Sequence, residues 1–414
     1  MNDIAASSFF DPQVIADPFD YYRAWMPKSP VVQLSEGMFL VLSYDLCSQA
    51  TGEVETFSNN FQGTLSGAMA EDGDVAAILA EGWPQVDTLL TADPPTHTRF
   101  RKLVNLAFSM KRVAAIEEDM RDVVIDLIEK MAAKGEADFV RDFGIPLPVA
   151  MIASQIGMEG DLDRVKRWSD AFVDRLGRMI PKERELECAR EVVEFQHYVK
   201  AKIDQRRANR TDDLLSDLVY AEVDGERPLE DAEILSIMQQ LMVAGNETTT
   251  SALAGGLLQL IGNPDQMAKA VAAADEGNER AIINLVEEVL RTESPTAGMW
   301  RMVLKDAELG GVKIPKGAMV QLRYAAANRD PAKYPDPDRF DIERANARSH
   351  LAFGKGIHMC VGNMLSRKEM AVAYSELLKR LTDFRVADGH TPSWPPNMLL
   401  RGLTALPITF ERRA

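Results

Sequence analysis

The most constraining feature of this sequence is a stretch of ten residues near the C-terminal end, Phe353 to Gly362, which reads FGKGIHMCVG. Its three glycines allow the backbone to fold tightly against a flat partner. Its cysteine, Cys360, comes just before a helical pattern that starts near Asn363. A cysteine at a helix N-terminus experiences the positive end of the helix dipole, which favours the thiolate. Such a thiolate suits the proximal ligation of haem iron.

The stretch resembles the haem-ligand loop of the cytochrome P-450 family, Phe-Gly-x-Gly-x-His-x-Cys-x-Gly, and every fixed position is met. The resemblance implies that Cys360 is the axial ligand of the iron in haem b (iron protoporphyrin IX). It also implies that Phe353 contacts the cofactor and that His358 holds a propionate. The simpler alternative is a cysteine without a ligand role in a Gly-rich loop, which an isolated Cys-x-Gly would favour.

The composition excludes several classes of protein. A net charge of -16 argues against binding to nucleic acid and to anionic membrane surfaces. The three cysteines are few, far apart and odd in number, which argues against a disulfide framework and for a reducing compartment. No basic segment followed by an apolar run opens the sequence, and no apolar run is long enough to span a bilayer. We therefore expect a soluble, cytoplasmic protein.

The longest helical pattern, residues 229–261, is apolar on all sides and should be buried. Its centre, residues 244–250, reads AGNETTT. An acid, a glycine and three threonines are locally unfavourable in a buried helix, and such conflicts are expected where function resides.

The central segment resembles the family's acid–alcohol pair, with Glu247 and Thr248 at the acid and alcohol positions. Cleavage of the O–O bond of dioxygen requires two protons. The resemblance implies that the Thr248 hydroxyl donates a hydrogen bond to the iron-bound peroxide and holds a water beside it. It also implies that Glu247 relays protons from solvent and that Gly245 leaves room for oxygen. The alternative is a threonine-rich kink without a catalytic role.

A second helix, starting at Asp93-Pro94-Pro95, carries His97 and Arg101 at i,i+4 spacing, so both side chains share one face. Two donors on one face suit an anion. The resemblance assigns both residues to the haem propionates, together with Arg301. The alternative is a solvated basic face.

The pattern Glu288-x-x-Arg291 is too common to carry weight alone. In the resembling family the pair is buried, and a further arginine completes a structural network. Arg339 best matches that third member.

The resemblance also predicts residues of a substrate pocket. They come from the irregular segment after residue 59, the central helix, the residues before Arg301 and the last segment of the chain. The candidates are Phe61, Leu65, Leu90, Val243, Ala244, Ala297, Met299, Met398 and Leu399. Ordinary packing is the alternative for each of them. Arg401 could reach an acidic substrate, although a surface position is the simpler interpretation.

The fold class is expected to be mainly α with small β-sheets (α+β). The resemblance implies the cytochrome P-450 fold, a helix-rich triangular prism with haem between the central helix and the helix after Cys360, as a single domain over residues 1–414. Patterns predict helices at 17–25, from 93, at 183–207, 278–293 and 364–378, with a largely helical stretch over 120–207. They predict a hairpin at 31–42, short strands at 303–324, a terminal hairpin at 397–410 and mostly irregular structure at 59–90.

The resemblance implies a monooxygenase that inserts one oxygen atom from O2 into a small apolar organic substrate. No flavin or iron–sulfur module is visible, so a 2Fe–2S ferredoxin and its reductase would supply electrons, with NAD(P)H acting only through these partners. A monomer is expected. Seven basic residues could form a docking face for an acidic ferredoxin: Arg99, Lys102, Lys111, Arg112, Lys355, Arg367 and Lys368.

Other functions remain open at this point. A peroxygenase or isomerase of the same fold would need no electron donor, but such proteins commonly lack the acid–alcohol pair. A non-catalytic haem protein that senses or binds ligands would need an output domain, and none is visible. An all-helical binding protein without a cofactor is the simplest alternative.

Overall fold

The structure is a computed structural model that describes residues 5–61, 73–155, 158, 161–175, 180–223 and 225–413. The predicted pocket residue Leu65 lies outside these ranges. The chain divides into two compact units. The first comprises Met1–Ser58, Ile116–Leu147 and Glu247–Ala414, and the second comprises Asn59–Ala115 and Pro148–Asn246.

The described residues are mainly helical, as predicted. In chain order the α-helices are α1 (Pro12–Ala16), α2 (Phe19–Trp25), α3 (Tyr44–Gly52), α4 (Gly73–Leu79), α5 (Thr96–Ala107), α6 (Met110–Ala115), α7 (Glu117–Ala132), α8 (Pro146–Gln155), α9 (Leu162–Arg175), α10 (Lys182–Ala208), α11 (Leu214–Val219), α12 (Asp231–Gly262), α13 (Pro264–Asp275), α14 (Glu279–Glu293), α15 (Tyr324–Ala327) and α16 (Asn363–Arg380). The long periodic patterns therefore predicted their helices well. The segment 59–90 is less irregular than predicted, because it contains α4.

Small sheets complete the first unit. The strands are β1 (Val31–Ser35), β2 (Met38–Val41), β3 (Phe57–Ser58), β4 (Glu136–Asp138), β5 (Met299–Val303), β6 (Ala307–Leu309), β7 (Val312–Ile314), β8 (Met319–Leu322), β9 (Leu381–Val386) and β10 (Pro407–Arg412). The five-stranded sheet has the order β1-β2-β8-β5-β3, in which only β2 and β8 are parallel. The predicted hairpin at 31–42 is confirmed: Val31 pairs with Val41, and Gly37 turns the chain with a φ of 69°.

The predicted terminal hairpin is wrong in its pairing. The last strand, β10, lies between β4 and β9, and both pairs are antiparallel. Residues 397–400 contribute only an isolated bridge between Leu400 and Thr296. The strand β4 also interrupts the stretch that was predicted to be largely helical. It has three residues, which is too short for a period-two pattern to be recognised.

The C-terminal half of α12 packs closely on α16. The Tyr374 hydroxyl donates to the carbonyl oxygens of Ala252 and Leu253 at 3.1 Å each. A Cβ added at Gly256 would collide with that hydroxyl and with Val289 of α14. Glycine at this position therefore allows three helices to meet closely.

A buried charge network anchors the loop that follows α15. Both oxygens of Glu288 accept hydrogen bonds from Arg291 at 2.8 Å, and both side chains are fully buried. The third guanidinium is that of Arg344, whose Nε lies 3.1 Å from Glu288 Oε1. The prediction that Arg339 is the third member is therefore wrong. Arg339 is exposed, and only its backbone carbonyl takes part, by accepting hydrogen bonds from Arg291 and Arg344.

Candidate active site

The loop before α16 has the tight conformation that its glycines suggested. Gly354 and Gly356 have φ values of 67° and 73°, in the left-handed region. A Cβ added at Gly356 would also lie only 2.8 Å from the carbonyl oxygen of Thr51. The Cys360 N–H donates to the Phe353 carbonyl at 2.9 Å and closes the loop.

The cysteine itself is half-buried, immediately before the first turn of α16. The Asn363 side chain donates to the Cys360 carbonyl at 2.7 Å, which ties the loop to the helix. All three cysteines lie in the described part of the chain, and none forms a disulfide. The helix N-terminus favours the thiolate form of Cys360.

The acid–alcohol segment lies in the middle of α12, with Glu247 and Thr248 both half-buried. Its neighbouring threonines have structural partners. Thr249 shares a hydrogen bond of 3.2 Å with Ser366 of α16, and Thr250 donates to the Gly144 carbonyl at 2.7 Å. The first of these bonds attaches the segment directly to the helix that follows Cys360.

Apart from its chain neighbours and the backbone of its own helix, a Cβ added at Gly245 would meet no heavy atom of the described residues within 4 Å. The role of Gly245 in leaving room for oxygen stays a prediction.

Arg301 lies on β5 and is 3% exposed. Its Nη1 donates to the Trp300 carbonyl at 2.8 Å, and among the described residues no carboxylate forms an ion pair with it. Burial raises the pKa of Tyr324, and the nearby Arg301 guanidinium opposes this rise. The Tyr324 hydroxyl would lie 3.6 Å from a Cβ at Gly354. A buried cation thus stands near the cysteine loop and would be balanced by an anionic group such as a haem propionate.

The other predicted propionate residues divide between the two units. In the first, His358 is half-buried at the end of a 3-10 turn, Gly356–His358. In the second, His97 and Arg101 lie one turn apart on α5, and His97 is 2% exposed. Burial lowers the pKa of His97, and the charge of Arg101 lowers it further.

Two predicted pocket segments of the first unit lie side by side. The Ala297 N–H donates to the Leu399 carbonyl, and the Arg401 N–H to the Pro295 carbonyl, at 2.8 Å each. Ala297 is fully buried in a core cluster, whereas Met299, Met398 and Leu399 are half-buried.

The remaining pocket candidates belong to the second unit and differ in exposure. Phe61 is buried, Val243 is half-buried, and Leu90 and Ala244 are exposed. These assignments stay predictions.

The side chain of Arg401 is held by an ion pair and by aromatic rings. It is buried, its Nη1 lies 3.3 Å from Glu293 Oε2, and its guanidinium lies over the rings of Phe19 and Trp394. Neither a surface position nor a role in binding an acidic substrate fits an arginine that is already paired in this way.

Most of the basic residues predicted for a docking face are ion-paired within their own unit. Five of the seven have carboxylate partners: Arg99 with Glu233, Lys102 with Glu226, Arg112 with Asp217, Arg367 with Glu287 and Lys368 with Glu117. Lys111 and Lys355 are exposed. The predicted face therefore has much less net positive charge than the sequence suggested.

Glu369 is a buried titratable group on α16 that sequence reasoning did not single out. Desolvation alone raises its pKa to about 8. The folded protein therefore retains a proton that the unfolded chain releases near pH 4.5, and this group makes folding less favourable as the pH rises from about 5 to 8.

At pH 8 we expect the free energy of unfolding of Glu369→Gln to exceed that of the wild type by roughly 3 kcal/mol. At pH 5 the two free energies should differ little. Urea titrations across this range measure the difference. A constant difference between the two proteins at all pH values would contradict the assignment.

Comparisons with known proteins agree with this geometry. The family model described as Cytochrome P-450 matches residues 158–405. The chain is 33% identical over 410 residues to the steroid C26-monooxygenase of Mycobacterium tuberculosis, covering 99% of this chain and 96% of that protein. It is 33% identical over 418 residues to the 6-deoxyerythronolide B hydroxylase of Saccharopolyspora erythraea, covering 97% and 99%.

A solved structure, cytochrome P-450 CYP109Q5 from Chondromyces apiculatus, is similar over 99% of both chains, with a TM-score of 0.85 and 33% identity. Within the described residues, no helix combines the length and the apolar character needed to cross a membrane. The matched family, the relatives and the shared fold agree with one another. The chain therefore belongs to the cytochrome P-450 family and is a monooxygenase-type oxidoreductase.

Proposed function

We propose that this protein hydroxylates a small, mainly apolar organic substrate, using O2 and electrons from a 2Fe–2S ferredoxin and its NAD(P)H-dependent reductase. The observation that carries the proposal is the hydrogen bond of 3.2 Å between Thr249 and Ser366. It holds the acid–alcohol segment of α12 against the helix that begins three residues after Cys360. This bond is one of the contacts that pack the helix carrying the proposed acid–alcohol pair on the helix that follows the proposed thiolate.

The residues present fit a haem. Cys360 is half-buried in a glycine loop and can act as the axial ligand. In the first unit, Arg301 is a buried cation without a carboxylate partner among the described residues, and it would hold a propionate together with His358. The resemblance adds His97 and Arg101 of the second unit, which would donate to the propionates as well. When bound, the haem supplies the iron at which O2 is activated, and donation by the thiolate promotes O–O cleavage.

The side chains of α12 would manage the protons. Thr248 would donate a hydrogen bond toward oxygen and hold a water, while Glu247 exchanges protons with solvent. Because Thr249 and Thr250 have structural partners, their hydroxyls are committed to packing α12.

The substrate class is supported by the chemistry of the predicted pocket and by the relatives. Met299, Met398 and Leu399 are apolar and half-buried. The relatives are named for a steroid and for 6-deoxyerythronolide B. Burial of apolar surface would supply most of the binding free energy.

Labelled dioxygen tests this function directly. Apolar compounds would first be screened for the change in spin state that follows loss of iron-bound water. With heavy-isotope O2, ferredoxin, reductase and NAD(P)H, we expect one labelled oxygen atom per product molecule. No product should form without ferredoxin. Product that forms with added peroxide but not with O2, ferredoxin and reductase would indicate a peroxygenase, and an isomerised product without added oxygen would indicate an isomerase; either would overturn the proposal.

A further inference from the structure

A second buried carboxylate, Glu287, lies next to Glu288 on α14 and is 1% exposed. Its oxygens accept hydrogen bonds from Arg367 of α16, with Nε–Oε1 at 2.8 Å and Nη2–Oε2 at 3.2 Å. The Nε2 atom of His350 lies 2.9 Å from Oε2. Glu287 therefore joins α14 to both flanks of the cysteine loop.

The first connection runs through Arg367. Its Nη1 donates to Oδ1 of Asn363 at 2.8 Å, and Asn363 Nδ2 donates to the Cys360 carbonyl at 2.7 Å. Each link in this series is a hydrogen bond of ordinary length. The carbonyl of the cysteine is thus connected to Glu287 through two side chains.

The second connection runs through His350. Its Nδ1 accepts the Ala352 N–H at 3.1 Å, so Nε2 carries the proton and donates it to Glu287. The Phe353 ring has its centroid 5.7 Å from the His350 ring and 4.5 Å from the Arg367 guanidinium. The carbonyl of Phe353 accepts the Cys360 N–H at 2.9 Å. The N–H of Cys360 is thus connected to the same carboxylate through Phe353 and His350.

We propose that Glu287 is a positioning residue for the thiolate. It orients Arg367 and His350, which contact Asn363 and Phe353, and these two residues bond the carbonyl and the N–H of Cys360. This inference rests on the proposed haem-thiolate function. Its physical basis is rigidity: a ligand loop held from both ends keeps the sulfur in one place.

The charge of Glu287 is essential to this role. Burial alone would raise its pKa, but hydrogen bonds from His350 and Arg367 outweigh burial and hold the pKa at about 2. The carboxylate faces donors on both sides, so the NH2 group of a glutamine would have to point at one of them. Glu287→Gln should therefore release either Arg367 or His350.

The test compares purified haem-loaded wild type, Glu287→Gln and Glu288→Gln. The adjacent Glu288 is a matched control, since it is similarly buried and also binds two side chains, but these are Arg291 and Arg344 instead of Arg367 and His350. The fraction of thiolate-ligated protein is followed over time at moderate temperature from the carbon monoxide spectrum of the reduced protein. Circular dichroism follows helix content in parallel.

We expect Glu287→Gln to lose the thiolate spectrum about tenfold faster than Glu288→Gln and well before helix content falls. Asn363→Ala, which cuts the first connection without removing a charge, should show the same effect to a smaller degree. It serves as the second variant if Glu287→Gln does not fold. The inference would be overturned if Glu287→Gln and Asn363→Ala lost the thiolate spectrum only together with their helix content. A wild type without a thiolate spectrum would instead refute the proposed function.

Discussion

Replacing Thr248 by alanine is expected to lower the amount of product formed per NAD(P)H consumed by about 10²-fold, while haem content and substrate binding are retained. The hydroxyl is proposed to deliver protons and hold a water at the oxygen-binding position. Without it, reducing equivalents should leave as hydrogen peroxide. Product, peroxide and NAD(P)H consumption measured in the same reaction give the coupling ratio.

Thr249→Ala is the matched control, because it removes the adjacent hydroxyl that pairs with Ser366. We expect it to weaken packing between α12 and α16 by about 1 kcal/mol and to leave the coupling ratio near that of the wild type. Wild-type coupling in Thr248→Ala, or equal uncoupling in both variants, would contradict a specific role of Thr248 in proton delivery.

Arg344→Ala is expected to destabilise the protein by about 3 kcal/mol, because it leaves buried acceptors without their donor. The Arg344 guanidinium donates hydrogen bonds to Glu288 and to the carbonyl oxygens of Pro335, Asp336 and Arg339. Midpoints of urea unfolding of the haem-loaded protein measure the effect.

Arg339→Ala is the corresponding control, since that residue is exposed and contributes to the network through its carbonyl oxygen. Its unfolding midpoint should stay within about 0.5 kcal/mol of the wild type. Equal destabilisation by both substitutions would contradict the assignment of Arg344 as the third member of the network.

The confusion of Arg339 with Arg344 illustrates a limit of sequence reasoning. Both arginines lie in the same irregular loop, five positions apart, and no periodicity specifies which side chain turns inward. The choice depends on carbonyl groups that the folded loop collects around Glu288. Tertiary contacts of this kind leave no local pattern.

Local patterns succeeded where the constraint is itself local. The glycines around Cys360 predicted a tight loop, and Gly354 and Gly356 indeed have positive φ values. The apolar periodicity of residues 229–261 predicted α12 to within two residues. In contrast, the partners of the basic residues are far away in sequence: Arg99 pairs with Glu233, 134 positions later. Charge counting along the chain therefore overestimated the basic face.

Glu369 was missed for a related reason. A single glutamate on a helix with charged neighbours reads as a surface residue, and its burial arises only from the packing of α16 in the first unit. Glu287 was missed because two adjacent glutamates gave no indication that each would organise a different network.

The most direct test of the central claim, that Cys360 ligates haem as a thiolate, is the difference spectrum of the dithionite-reduced protein with and without carbon monoxide, recorded for the wild type and for Cys360→Ser. We predict a strongly red-shifted Soret band in the wild type and its absence in Cys360→Ser. A wild-type spectrum typical of histidine-ligated haem, the absence of any haem signal, or a red-shifted band that persists in Cys360→Ser would contradict the claim.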